Sequence, residues 1–370
     1  MISYKIAIIH FGKKGAGPVY SFEMAKALYR QGHEVFFYTS KDSDIVNNLN
    51  GERFKIRLHS TYNTKIEYLK SIICQKEINK VAHSIKDDNP DVIYLTMNDL
   101  WAPFLFPKLK GFLRVKTIHD VGIHEGNNSI FNKWWNSTNF RDAEKFVILS
   151  KIFVTELEKK GISKSNIVVI PHAGFTFYAD QYHTNNSNTV KKIILFFGRI
   201  DKYKGLEILL DAMPMIIEKH PDVLLRIAGN GDLQDLIFKI EKLHDNIELI
   251  NRWIKDCEIA DIMRDCLLLI LPYTHATQSG VIPLAYAFQK PVIATNVGGL
   301  GEQIVEGVTG HIIMPQNAKI ISEYVNRMLF NLDKTEKMGK NAYQYMIDNL
   351  TWESSARKFI QFVFNGSTNE

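Results

Sequence analysis

Residues 198–205 read Gly198-Arg199-Ile200-Asp201-Lys202-Tyr203-Lys204-Gly205, two cations held between two glycines. The segment follows an apolar run and opens a helical pattern. Glycines let a backbone approach a ligand, and a helix N-terminus favours anions. A guanidinium and an ammonium at the same mouth suit a diphosphate. A solvated basic turn would look the same, and position alone does not choose between them.

A second loop, Thr274-His275-Ala276-Thr277-Gln278-Ser279-Gly280-Val281-Ile282-Pro283, also leaves an apolar run. Gly280 with Pro283 reads as a tight turn into a helix, with amides offered to an anion or simply as an ordinary loop-to-helix turn. In a third, Thr295-Asn296-Val297-Gly298-Gly299-Leu300-Gly301-Glu302, the Gly-Gly pair permits close backbone approach, though a flexible loop would carry it equally. His119, followed by Asp120 and then His124-Glu125, stands at the end of an apolar run and is a site candidate. His172, in Ile170-Pro171-His172-Ala173-Gly174-Phe175, leaves a strand the same way and reads equally as a structural residue.

The elements that must position these residues alternate. Ile6–Ile9 is a strand candidate, followed by the glycine-rich loop 12–18 and a helix from Ser21 to Gln31. Further strands are expected at Glu34–Thr39, Asp91–Leu95, Arg114–Ile118, Phe146–Leu149 and Ile167–Ile170. Residues 181–189 are polar and patternless and read as a linker. A second series follows with strands at Lys192–Phe197, Val223–Ala228, Ile247–Ile250, Leu267–Leu271 and Pro291–Ala294. Leu206, Leu209, Leu210, Met213, Ile216 and Ile217 mark one face of a helix that Pro214 should kink. A last helix starts near Trp352.

Strand–helix repetition argues for parallel βαβ units, and ligands in such folds bind beyond the carboxyl ends of the strands. The fold class is therefore α/β with two Rossmann-like domains facing a cleft. The boundaries expected are 1–180 for the first domain, 181–191 for the linker, 192–350 for the second domain and 351–370 for a helix.

The chain has 370 residues, 45% of them hydrophobic and 23% charged. That composition fits about two globular domains and excludes a disordered chain, a collagen or a rod. Three cysteines without CxxC spacing exclude a disulfide framework and a structural zinc site. The net charge of +5 is too small to imply nucleic acid, but it is unevenly spread. Residues 1–170 carry 25 Lys and Arg against 17 Asp and Glu, a balance of +8; the remainder carry 20 against 23, or −3. The basic half is expected to meet something anionic, such as phosphates or a membrane surface. No apolar run reaches the ~18 residues of a membrane span, and Ile6–Ile9 is too short for a signal-peptide core. A cytoplasmic protein is expected.

Taken in order, the GRxxxxKG loop, Ala228-Gly229-Asn230-Gly231, the Gly280 turn, Lys290-Pro291-Val292-Ile293-Ala294 with the GG loop, and Glu306-Gly307-Val308-Thr309-Gly310 resemble the donor half of retaining glycosyltransferases with the GT-B fold, the glycosyl transferases group 1 family. The resemblance covers residues 190–320 strongly. In the first half it rests on architecture, the Gly15–Gly17 loop and Thr117-Ile118-His119-Asp120. The segment from Thr351 resembles the family's last helix, which crosses back onto the first domain.

The resemblance implies a nucleotide-sugar donor, UDP- or GDP-linked, with no other cofactor and no metal. Arg199 and Lys204 would neutralise the diphosphate. Gly198, Asn230, Thr277, Gln278, Ser279, Gly280 and Val281 would line the donor, with Trp253 and Ile254 flanking the base and Gly15 and Gly17 facing the phosphates. His119 would sit near the transferred sugar, and Asp120, His124 and His172 would bind the acceptor. Charge developing on the leaving phosphate would be met by these cations and amides. The family often carries two glutamates in the Gly280 region, where this chain has Thr277 and Ala285. The Gln278-Ser279-Gly280-Val281 variant resembles a subset associated with bacterial surface polysaccharides.

Asp42-Ser43-Asp44 looks like the DxD metal motif of another glycosyltransferase fold, but it lies away from the donor motifs and is not expected to hold metal. Phe131, Trp134, Trp135 and Phe140 amid Lys133 and Arg141 read as core packing or as an acceptor or membrane-surface patch. With the +8 balance they point to a saccharide or lipid-diphosphate-linked acceptor and peripheral contact with an anionic membrane. The alternatives are a nucleotide-sugar epimerase of the same fold and a non-catalytic nucleotide-sugar binder.

Overall fold

The computed structural model describes residues 2–119, 140, 142–181 and 192–366. The chain forms two compact units, the first comprising Met1–Pro171 with Trp352–Glu370, the second His172–Thr351.

The first unit is built on seven parallel strands: β1 (Lys5–His10), β2 (Glu34–Ser40), β3 (Lys55–His59), β4 (Val92–Leu95), β5 (Leu113–Ile118), β6 (Lys145–Ile148) and β7 (Ile167–Val169). Their order is β3-β2-β1-β4-β5-β6-β7. β1 is flanked on both sides, with Ile8 paired to Phe37 and to Tyr94. Continuous apolar runs of this kind belong in sheets covered on both faces. The chain winds outward from β1 to β3 and then returns to the other side of β1. That reversal opens a crevice at the carboxyl ends of β1 and β4.

The second unit repeats the plan with six parallel strands: β8 (Ile193–Phe197), β9 (Leu224–Ala228), β10 (Ile247–Ile250), β11 (Leu268–Leu271), β12 (Val292–Thr295) and β13 (Gly310–Ile313). Their order, β10-β9-β8-β11-β12-β13, puts the reversal between β8 and β11. The Leu206–Ile217 helix buries Leu206, Leu209, Leu210, Met213 and Ile216 in one core with Ile321, Val325 and Leu329 of the Ala318–Phe330 helix. It runs unbroken through Pro214.

Three expectations shift. The helix of the first unit begins at Ala16, not Ser21, so Gly17 and Pro18 lie in its first turn rather than in a loop. Proline is tolerated there because the first N–H groups of a helix have no partner in it. The boundary between units falls at Pro171–His172 rather than near residue 180. The Thr176–Gln181 helix belongs to the second unit, where Phe175, Phe177 and Tyr178 are buried and Arg264 donates to the Ala179 carbonyl at 3.1 Å. Two strands, β3 and β13, were not anticipated.

The Trp352–Phe364 helix packs on the Ala16–Arg30 helix of the first unit. Trp352 meets Tyr20 edge-on at 4.9 Å, and Phe359 stacks on Tyr94 at 4.3 Å. Lys145 donates to the carbonyls of Phe362 and Val363 at 2.6 and 3.1 Å. A cation on the last carbonyls of a helix satisfies both their lone pairs and the helix dipole.

Candidate functional site

The reversal between β8 and β11 gathers the loops singled out in the second half of the sequence. The Gly198–Gly205 loop leaves β8 and is joined to the loop after β11 by Thr274, whose backbone N–H donates to the Tyr203 carbonyl at 2.7 Å and whose hydroxyl donates to the same oxygen at 3.2 Å. Gly205 makes this approach possible. Its φ is +69°, and a Cβ there would lie 2.0 Å from the Pro272 carbonyl oxygen. The Lys204 ammonium sits 5.0 Å above the Tyr273 ring and 3.1 Å from where a Gly198 Cβ would be. Tyr273 thus steers Lys204 back over the start of its own loop, and among the described residues Lys204 has no acidic partner. Arg199 differs, being exposed and paired with Asp201 at 2.8 Å.

Behind Gly198 the Ala228-Gly229-Asn230-Gly231 segment closes the floor. Ile200 donates to the Asn230 carbonyl at 2.8 Å, and Gly231 exchanges hydrogen bonds with the Asn251 side chain at 3.1 and 3.2 Å. Asn230 itself is exposed. Past β10, Trp253 is half exposed while Ile254 is buried.

The Thr277–Val281 loop is held more tightly than its sequence implied. Thr277, Gln278 and Ser279 are all buried. Gln303 accepts from the Ser279 backbone N–H at 2.9 Å and donates to the Ser279 carbonyl at 2.9 Å. Gln303 is fixed in turn by Tyr286, whose hydroxyl donates to the Gln303 carbonyl at 3.0 Å. The Ser279 amide is therefore held by Gln303. The Gly298-Gly299 loop lies on the same segment. Gly299 donates to the Thr277 carbonyl at 3.0 Å, and Gly298, at φ +51°, leaves a Cβ only 1.6 Å from the Ala276 carbonyl oxygen. The GG pair is a close-packing device for the neighbouring loop.

His172 was expected to bind the acceptor. It lies in the second unit, buried, with its ring 4.7 Å from Phe175 and Nε2 3.4 Å from the Cβ position of Gly280. It therefore supports the Gly280 turn. Ala285 is wholly buried, and its methyl offers no hydrogen bond to a ligand.

In the first unit the crevice between β1 and β4 is occupied by His10. Its ring nitrogens are buried without a hydrogen-bond partner, and Cβ atoms on Gly12 or Gly17 would fall 2.4 or 2.8 Å from Nε2. The small residues of this loop make room for an imidazole, and burial pushes its pKa down to about 4. Gly15 precedes the helix at φ +79°. Nearby Asp99 accepts from the backbone N–H groups of Phe11 and Trp101 at 3.1 and 2.8 Å, and burial raises its carboxyl to about 6.

His119 directly follows β5 and is half-buried. Asp120, His124 and the Phe131–Trp135 cluster lie outside the described residues. Asp42 is paired with Lys13 at 3.4 Å, Asp44 donates its N–H to the Lys13 carbonyl at 2.8 Å, and the Ser43 hydroxyl donates to Gly12 at 3.2 Å. The Asp42-Ser43-Asp44 triplet braces the glycine loop. Among the described residues no group of three or more His, Cys, Asp or Glu side chains converges as a metal-ligand set.

Three contributors were missed in the sequence. Gln303 and Tyr273 are single polar and aromatic residues with no motif around them. His10 was visible only as a histidine closing the first apolar run.

Residues 180–345 match the family "Glycosyl transferases group 1", and residues 17–173 match "Glycosyltransferase Family 4". An uncharacterized glycosyltransferase of Methanocaldococcus jannaschii is 24% identical, covering 91% of each chain. Spore coat protein SA of Bacillus subtilis is 33% identical over 46% of this chain and 48% of its own. The crystal structure of Anabaena HepE in complex with UDP and glucose superposes with a TM-score of 0.75 at 18% identity, covering 97% of this chain and 98% of that one.

Proposed function

With its two halves matched by two glycosyltransferase families, the chain belongs to the GT-B glycosyltransferases, and from that premise we propose that it moves a sugar from a nucleotide-diphosphate sugar to a saccharide or lipid-linked acceptor, with retention of configuration at the anomeric carbon. The observation that carries the donor assignment is Lys204. Its ammonium is folded back over the Gly198 turn at the reversal between β8 and β11, with no acidic partner among the described residues.

In the reaction the bond between the anomeric carbon and the donor phosphate oxygen breaks, its electron pair passing to the leaving diphosphate. A bond to the acceptor oxygen forms on the same face, and the acceptor proton goes to the leaving phosphate. Negative charge grows on that phosphate, and Lys204 is placed to meet it, with Arg199 beside it once Asp201 releases it. Fixed charges aimed at where charge develops are worth most in the transition state. Trp253 supplies an exposed aromatic surface on which a base could stack. His119 is the first unit's candidate catalytic group. The +8 balance of residues 1–170 supports an anionic or lipid-diphosphate-linked acceptor of the kind built into bacterial surface polysaccharide.

A non-catalytic nucleotide-sugar binder is the second reading. It is favoured by Ala285 and Thr277, both buried and neither a carboxylate. The two part company on turnover. Purified protein incubated with UDP- and GDP-sugars and membrane extract releases nucleoside diphosphate if it is a transferase. A binder raises the melting temperature with the same donor and releases none.

A further inference from the structure

The Lys65–Cys74 helix of the first unit has an inner face already docked and an outer face whose apolar side chains are exposed. Tyr68 and Ile72 pack against the core around Trp101, whose indole N–H donates to the Ser71 hydroxyl at 2.9 Å. On the opposite side Ile66, Leu69 and Ile73 are 66, 53 and 79% exposed. At about 100° per residue these three fall within an arc of about 60°, with Lys65 about 40° beyond one edge and Lys70 about 40° beyond the other. Lys76, exposed, follows immediately after the helix. The one carboxylate on the helix, Glu67, accepts from the Asn63 backbone N–H at 2.6 Å, while the Thr64 hydroxyl caps the helix start. The stripe is therefore apolar and bordered by cations on both sides.

We infer that this face is a docking surface for an anionic lipid bilayer, with Ile66, Leu69 and Ile73 entering the headgroup–acyl boundary and Lys65, Lys70 and Lys76 pairing with lipid phosphates. Ten residues make a helix of about 15 Å, half the hydrocarbon thickness of a bilayer. It can lie in the interface but cannot cross it. Among the described residues no helix is long and apolar enough to span a membrane. Charge complementarity selects lipid over a second copy of the chain. Self-pairing of this face would bring its bordering lysines together, in a half that already carries +8. The inference goes beyond sugar transfer and does not depend on it, because its test reads binding alone.

The full chain is sedimented with vesicles of phosphatidylcholine and with vesicles of phosphatidylcholine mixed with phosphatidylglycerol. The expected result is binding to the mixed vesicles at least about tenfold tighter than to phosphatidylcholine, weakened by salt. Leu69→Asp with Ile73→Asp should lower that binding about tenfold or more, and so should Lys65→Glu with Lys70→Glu. All four residues are exposed, so the melting temperature should stay unchanged. Leu69→Phe, which keeps the apolar face, should bind as the parent does. Equal sedimentation with both vesicle types, or a Leu69→Asp/Ile73→Asp protein that binds as well as its parent, would overturn the inference. A dimer that this variant dissolves, without vesicle binding by the parent, would assign the face to a second copy and overturn it too.

Discussion

Lys204 and Arg199 look alike in the sequence and are differently placed. Lys204 is held over Tyr273 with no acidic partner among the described residues, while Arg199 leans on Asp201 in solvent. Lys204→Ala is therefore expected to reduce sugar transfer by about a hundredfold or more, as loss of a transition-state charge does. Arg199→Ala should cost less, with both variants melting as the parent does. Steady-state transfer assays on the two proteins check the order. The same two residues show how legible the site was. Charge and glycine spacing were enough to locate the loop, but how Lys204 is held depends on Tyr273, which comes from the loop after β11 and has no signature of its own. His10 makes a second prediction at this scale. Its folded pKa of about 4 lies below the ordinary 6.5, so the unfolded chain binds the extra proton. The stability held by neutral His10 is complete above pH 6.5 and is lost as pH falls toward 4. Asp99 acts the other way, its raised pKa of about 6 adding stability as pH falls through the same window. Comparison with a His10→Asn protein cancels Asp99 and every other group. The stability advantage of the parent over this variant should shrink by about 2 kcal/mol between pH 7 and pH 5, read by urea unfolding at each pH.

At the scale of elements, the site is a set of loops fastened to one another. Gln303 holds both backbone groups of Ser279 and is itself held by Tyr286. Gln303→Ala leaves a buried N–H and carbonyl unpaired, at a cost of about 1–3 kcal/mol in stability. It should also raise the KM for the nucleotide sugar more than it lowers kcat, because the loop it fastens is proposed to bind the donor. Gly298→Ala is the stronger test of loop packing. With φ +51° and the Ala276 oxygen 1.6 Å from the new Cβ, it should destabilise the second unit by at least about 2 kcal/mol, measured by thermal or urea unfolding. Strands with continuous apolar runs were readable in the sequence because burial on both faces leaves no polar position. β3 was not readable, because Lys55, Arg57 and His59 alternate with Ile56 and Leu58 on an edge strand, where charge protects against mispairing. β13 is four residues long and begins at Gly310, and its apolar signal is too short to separate from a loop. The unexpected start of the first helix at Ala16 has a similar cause: Gly17 and Pro18 read as breakers, yet both are admissible in a first turn.

At the scale of the whole chain, the first unit is completed by the last helix, some 180 residues after the rest of it in sequence. Phe359 is fully buried and stacked on Tyr94, so Phe359→Ala should cost about 3–5 kcal/mol, felt in the unfolding of the first unit. The amphipathic pattern from Trp352 was enough to recognise the helix. Its place on the first unit was implied only by resemblance, since no local pattern says which of two cores a terminal helix joins. The charge imbalance of the two halves, visible in the sequence, now falls on one unit whose exposed Ile66, Leu69 and Ile73 are bordered by lysines, and on another that carries Arg199 and Lys204 on the loop after β8. The account as a whole stands on donor cleavage at that loop. The direct measurement is release of nucleoside diphosphate from a panel of UDP- and GDP-sugars in the presence of membrane extract, with parent and Lys204→Ala proteins side by side. The account predicts release from at least one donor by the parent and a loss of about a hundredfold or more in the variant. Release from none of the donors, or equal release by both proteins, would contradict it.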